Sequence, residues 1–205
     1  MHSQNIITSG KDISEAKKVL VMLHGRGGNA REFLSLANQL DVSDFALFAP
    51  QATNSSWYLY SFLAKPAENE PWLSSALKIL NGLLEEIKSK GIPSENIYFT
   101  GFSQGACLTA EFVTRNASRF GGVVLFTGGL IGDKIYTENY KGDFAGTPVF
   151  IGTGNPDAHV PVKRVKETAK IMEKMNANVT VKAYDNRPHS ISQDEIKIAN
   201  KLIFK

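Results

Sequence analysis

Short apolar runs alternate along this chain with helical patterns, and that alternation restricts the fold more than any other feature. The runs are "KVLVMLH" (18–24), "FALFAP" (45–50), "IYFTGF" (97–102), "GVVLFTG" (122–128) and "PVFIGTG" (148–154). Each is rich in β-branched and aromatic residues and apolar at consecutive positions, so each reads as a strand covered on both faces. A sixth, "VTVKAY" (179–184), alternates apolar with polar and belongs nearer a sheet edge.

Between them lie amphipathic helices. Asn29 and Glu32 stand at capping-box spacing before "AREFLSLANQL", with Phe33, Leu36, Ala37 and Leu40 on one face. A second helix starts at Pro71 and stops at Gly91, with Leu73, Ala76, Leu77, Leu80, Leu84 and Ile87 as its apolar stripe. "PVKRVKETAKIMEKM" buries Val162, Val165, Ala169 and Met172. Ser192 and Glu195 cap a last helix carrying Ile196, Ala199 and Leu202. Buried strands alternating with helices predict a mostly parallel central sheet with helices on both faces. At 205 residues the expectation is a single domain spanning 1–205. One segment, 51–70, carries Trp57, Tyr58, Tyr60 and Phe62 without a clean period, and is expected to be a partly ordered excursion over the strand ends.

Composition removes several function classes. The net charge is +3, and the lysines are interspersed with acids, as in "LLEEIKSK"; this describes solvated helix faces and not a nucleic-acid footprint. The longest apolar run, "GGVVLFTGGLIG", is glycine-broken and too short for stable membrane insertion. The N-terminal stretch lacks the apolar core of a signal peptide. The one cysteine, Cys107, allows no intrachain disulfide and reads as a small buried helix residue. These features predict a soluble, cytoplasmic protein; a homodimer is compatible with them.

Sites in such sheets gather at the carboxyl ends of strands. "GFSQG" (101–105) lies at one such end, between "IYFTGF" and the helical "ACLTAEF". Glycines two residues before and after Ser103 match the sharp strand-to-helix turn that lifts a nucleophilic serine above a sheet. Side chains at those positions would collide with the neighbouring strand and helix. The next amide, Gln104 N–H, then opens a helix and can hold an oxyanion.

A serine needs a base, and the base needs an orienting acid. In this arrangement the chain order is serine, acid, histidine. Of His2, His24, His159 and His189, only the last two follow Ser103. His189, between the last strand and the last helix, is the preferred base. His2 is expected at a frayed terminus. Asp157, in the loop after "PVFIGTG", is the preferred acid; Asp185 is nearer His189 in sequence but adjacency does not give geometry. Asp133 and Asp143 fall in an expected surface excursion. "LHGRGGNA" (23–30) can turn back toward the serine and offer a second oxyanion donor, with Arg26 N–H the favoured group. A phosphate cradle is the alternative for that loop, but it has neither a Lys-Ser/Thr pair nor dinucleotide-binding glycine spacing. His24, at the end of the preceding strand, and His159, in the Asp157 loop, are candidates for contacting substrate. Asp157 and His159 have no third ligand near them, so no metal is expected.

Together "LHGRGG", "SWY", "GFSQGA", "DAHVP" and "PHSIS" resemble, in order, the carboxylesterase/phospholipase family of small α/β hydrolases, which includes the acyl-protein thioesterases. The resemblance implies an α/β-hydrolase fold, a Ser103–Asp157–His189 triad, an oxyanion hole from Arg26 and Gln104 amides, and cofactor-free hydrolysis of a small-molecule ester or thioester. Trp57, in the "SWY" position, resembles the family's acyl-pocket wall. Arg26 stands where the family often has an apolar residue, and 51–70 lacks a recognisable long hydrophobic loop. These departures favour a small-substrate esterase. The alternatives are acyl-protein thioesterase or lysophospholipase activity, a dienelactone-type hydrolase (which would carry cysteine at 103), and a non-catalytic binder.

Overall fold

The computed structural model of the chain describes residues 1–204. Seven strands form one sheet: β1 (Ile6–Gly10), β2 (Lys18–Leu23), β3 (Phe45–Pro50), β4 (Ile97–Phe102), β5 (Gly122–Phe126), β6 (Pro148–Asn155) and β7 (Asn178–Asp185). Their order is β1-β3-β2-β4-β5-β6-β7. All neighbours are parallel except β1, which runs antiparallel to β3. β4, which leads directly into Ser103, is therefore the central strand. The helices are α1 (Ala30–Leu34), α2 (Trp72–Ser89), α3 (Gln104–Arg115), α4 (Val162–Lys174) and α5 (Gln193–Leu202). None of the helices among the described residues is long and apolar enough to cross a membrane.

Successive side chains leave a strand on opposite faces, and this splits the core in two. Val19, Val21, Phe99, Leu125 and Ile151 face α2, α3 and α4, where the predicted α2 stripe from Leu73 to Ile87 is buried. Leu20, Met22, Phe45, Val124 and Phe150 face α1 and α5. The continuous apolar runs are thus explained by helices on both sides. β7, with alternating partial burial, pairs only with β6 and is an edge strand.

Four local readings need correction. β1 carried too few apolar residues to be recognised, because an antiparallel edge strand covers only one face. Its upstream neighbour His2 is not frayed: Nε2 lies 2.9 Å from the Trp57 carbonyl, Nδ1 accepts from Thr53 N–H at 3.1 Å, and the ring packs against Trp57 and Trp72. The helix expected over 30–40 is α-helical only to Leu34 and continues as a tighter 3₁₀ turn over Ser35–Gln39. The Ser35 hydroxyl donates to the Glu32 carbonyl at 2.6 Å and competes with the regular helical bond. The 51–70 excursion is well pinned. Trp57, Tyr58 and Phe62 are buried, Asn69 bonds both Tyr60 N–H and the Ser61 carbonyl, and Gly27 N–H donates to the Ser55 carbonyl.

Candidate active site

Ser103 occupies the single residue between β4 and α3, with φ 53° and ψ −117°. This region is unfavourable for a residue with a side chain. The chain is held there by Ser103 N–H donating to the Phe126 carbonyl at 3.0 Å and by Cys107 N–H donating to the Ser103 carbonyl at 2.9 Å. The flanking glycines permit the close crossing. A Cβ on Gly101 would sit 2.5 Å from the Gly105 backbone, and one on Gly105 would collide with the Leu23 carbonyl at the end of β2.

His189 reaches this serine from the loop between β7 and α5. Its Nε2 lies 2.8 Å from Ser103 Oγ, and its Nδ1 lies 2.8 Å from Asp157 Oδ2 and 3.1 Å from Oδ1. The imidazole is also braced by the Phe102 ring, centroids 5.2 Å apart, and edge-on by His159 at 4.8 Å. Asp157 follows β6, and its carboxylate is fully buried. Burial alone would raise its pKa, but hydrogen bonds from His189 and from the His159 and Val160 amides, both 2.9 Å, outweigh that and hold it below the usual carboxylate value. An ionised Asp157 accepts a hydrogen bond from Nδ1–H, which keeps the proton on that nitrogen and leaves Nε2 free to accept from Ser103 O–H.

Gln104 opens α3, so its N–H is among the amides that lack an intrahelical acceptor. The loop after β2 comes close on the other side: a Cβ on Gly25 would lie 3.5 Å from Ser103 Cβ. Arg26 follows, and its guanidinium donates to the carbonyls of Tyr58 (2.9 Å), Leu59 (2.8 Å) and Tyr60 (2.7 Å). The Gln104 side chain grips the same segment, accepting from Trp57 N–H at 2.9 Å and donating to the Tyr58 carbonyl at 2.8 Å. These residues bound a cleft of about 410 Å³ that opens onto Ser103 and His189. Tyr58, Leu59, Tyr60 and Phe62 line it as a wall from the 51–70 segment, His159 and Val160 line it from the loop after β6, and Cys107 from α3. Burial pushes the Cys107 thiol up to about 12, so it carries no thiolate at neutral pH.

The structure thus brings together Ser103, Gln104, Asp157, His159, His189 and Arg26 from four separate segments. It does not place the other two expected substrate contacts in the cleft. His24 is 1% exposed, with Nδ1 donating to the Gly25 carbonyl at 2.8 Å and Nε2 accepting from Ala52 N–H at 3.1 Å. Its pKa is lowered by burial, so the ring is a neutral brace for the loop. Trp57 is completely buried behind the cleft wall, where its Nε1–H donates to the His24 carbonyl at 2.9 Å. The wall surface belongs instead to its neighbours Tyr58 to Phe62. Sequence reasoning missed the Arg26 guanidinium as their anchor, since nothing local to 23–30 indicates which carbonyls it meets.

The phospholipase/carboxylesterase family profile matches residues 3–205. A phospholipase/carboxylesterase structure from Dyadobacter fermentans superposes with a TM-score of 0.99 at 56% identity, covering 100% of this chain and 98% of that one. The Bacillus cereus carboxylesterase superposes at 0.76 with 28% identity, over 97% of this chain and 92% of the other. In sequence, acyl-protein thioesterase 1 from Debaryomyces hansenii is 31% identical over 92% of this chain and 90% of its own length. The matching profile, the sheet order and the strand–serine–helix turn agree: the chain belongs to the phospholipase/carboxylesterase family of α/β hydrolases and is a carboxylesterase-type hydrolase.

Proposed function

We propose that the chain cleaves small carboxylic esters through a Ser103–His189–Asp157 triad and an acyl-enzyme. The observation that carries this reading is the unbroken pair of 2.8 Å contacts from Ser103 Oγ to His189 Nε2 and from His189 Nδ1 to Asp157 Oδ2. Ser103 Oγ attacks the ester carbonyl as His189 Nε2 takes its proton. Asp157 keeps the imidazole in the required tautomer and stabilises it once charged. The Gln104 and Arg26 amides hold the developing oxyanion, each contributing about 10²–10³ in rate. His189 then protonates the leaving alcohol. A water molecule, deprotonated by the same imidazole, attacks the acyl-enzyme and releases the acid.

The substrate side follows from the cleft. At about 410 Å³ it is near the small end of ligand sites, and the wall at 58–60 is tied down by a guanidinium. Short acyl groups fit that space. Thioester cleavage is a second reading, favoured by the likeness to acyl-protein thioesterase 1; the same attack serves either leaving group. With one cysteine in the chain, buried and unpaired, we place the enzyme in a reducing compartment, the cytoplasm.

A series of p-nitrophenyl esters from acetate to palmitate, with one thioester, tests the substrate class. The expected result is a maximum at short chains; a maximum at palmitate overturns it. Ser103→Ala is expected to lower turnover by on the order of 10³ or more without unfolding the protein, and to abolish labelling by a fluorophosphonate. Retained activity would remove Ser103 from the mechanism. Folded wild type that neither turns over nor is labelled would point to a binding protein.

A further inference from the structure

We propose that Arg187 is a positioning residue for His189: a buried guanidinium that ties the loop carrying the imidazole to the strand end beside Ser103. This rests on the hydrolase reading above. His189 sits in the irregular segment 186–192 between β7 and α5. Such segments place side chains less rigidly than helices or strands do, yet this imidazole meets Ser103 and Asp157 at 2.8 Å each.

Two residues before it, the Arg187 side chain turns inward and is 8% exposed, against a Glu195 side chain at 0%. Arg187 Nη1 donates to the Ser190 carbonyl, just past His189, and to Glu195 Oε2 at 2.7 Å. Arg187 Nη2 donates to Thr127 Oγ1 at 3.0 Å. Thr127 directly follows Phe126, whose carbonyl accepts the Ser103 amide. One guanidinium therefore contacts the histidine loop, the first turn of α5, and the strand end that also holds the nucleophile's backbone. Glu195 closes the far end of the loop by accepting from Ser192 N–H at 2.7 Å and Ser192 Oγ–H at 2.9 Å.

An ion pair this deep is weak evidence for stability, because desolvation offsets the attraction between the charges. The added bonds to Ser190 and Thr127 are what a positioning role requires. Space for the carboxylate exists only because residue 152 is glycine: a Cβ there would collide with Glu195 Oε1. None of these groups touches the reacting atoms.

The test compares wild type with Thr127→Ala, Thr127→Ser and Arg187→Lys, each confirmed as folded by circular dichroism. The readouts are turnover of p-nitrophenyl acetate and butyrate and the rate of fluorophosphonate labelling. Thr127→Ala removes the hydroxyl and leaves the ion pair whole; kcat is expected to fall about tenfold with KM moving less than about twofold, since misplacing a catalytic group by a fraction of an ångström acts on the chemical step. Labelling slows in step. Thr127→Ser returns the hydroxyl and is expected to restore both rates. Arg187→Lys keeps a cation for Glu195 but cannot reach Ser190 and Thr127 together, and is expected to behave as Thr127→Ala does; it carries the comparison should Thr127→Ala not fold. If the folded variants keep kcat within about twofold of wild type, whatever happens to their melting temperatures, the positioning role is overturned and the hydrolase reading stands. If wild type itself is inert to esters and to the fluorophosphonate, the hydrolase reading fails and the positioning role falls with it.

Discussion

Asp157 shows how much one side chain can depend on its main-chain neighbours. Its Oδ1 accepts two amides from its own loop, those of His159 and Val160, while Oδ2 faces His189. The loop thus fixes the carboxylate first, and the carboxylate then fixes the ring. Asp157→Asn retains the shape but offers Nδ1 an amide donor in place of an acceptor. The imidazole then prefers the tautomer with its proton on Nε2, which cannot accept from Ser103. Turnover is expected to fall by about 10⁴ with little change in KM, by analogy with the same exchange in serine proteases. Comparing kcat and KM of folded Asp157→Asn with wild type checks this; a fall of less than about tenfold would leave the carboxylate only a structural part. Ser103 could be singled out from sequence because its requirement is local: two glycines within two residues and a strand before a helix. His24 and Trp57 could not be judged that way. Both look like site residues in one dimension, and only the packing of 51–57 across the β2 end buries them.

At the scale of elements, the loop after β2 and the cleft wall behave as one unit. Gln104 and Arg26 both use side chains to hold 57–60, and Gly27 N–H holds Ser55. Arg26→Leu leaves the backbone amide at position 26 in place and removes three side-chain bonds to the wall. Each such bond contributes about 0.5–1.5 kcal/mol, the lower end applying to this exposed group. The wall is then free to move outward, and longer acyl chains are expected to gain severalfold on acetate in kcat/KM, in keeping with the modest energy of a few methylenes in an apolar pocket. The ratio of octanoate to acetate turnover measures it. An unchanged ratio means that the buried anchors Trp57, Tyr58 and Phe62 set the wall without help. None of this was visible in "QATNSSWYLYSFLAKPAENE", which has no period because its only regular pieces are two short 3₁₀ turns, over Thr53–Ser55 and Pro66–Asn69. Its order comes from hydrogen bonds to residues 24–27 and 104, far away in sequence. By contrast α2 and α5 were legible nearly to the residue, since their stripes and the Ser192–Glu195 capping box are local signals.

For the whole molecule, the parallel sheet and its two helical layers followed from the doubly buried runs, whereas the antiparallel β1 did not, since five residues with one covered face leave little pattern. The N-terminal segment nonetheless matters to the fold as a whole, because His2 and His24 both pack against Trp57 and burial favours the neutral form of each. Burial is the leading cause in each, and each pKa lies below 6.5 in the folded chain. In each ring one nitrogen accepts a backbone amide, from Thr53 or from Ala52, and protonation would remove that acceptor. The unfolded chain therefore binds more protons than the folded one once pH falls below about 6.5, and stability is lost in that direction. Buried Glu195 works in the opposite sense, its carboxyl being raised above 4.5 mainly by burial, so its contribution belongs to lower pH. Urea unfolding at pH 7.5 and pH 6 isolates the histidine window. The midpoint is expected to drop at pH 6 with an unchanged m-value. In His2→Gln, which keeps an acceptor within reach of Thr53 N–H but cannot titrate, the drop should shrink without vanishing, because His24 remains. Equal midpoints at the two pH values would show that neither ring holds the 52–57 segment through its neutral form.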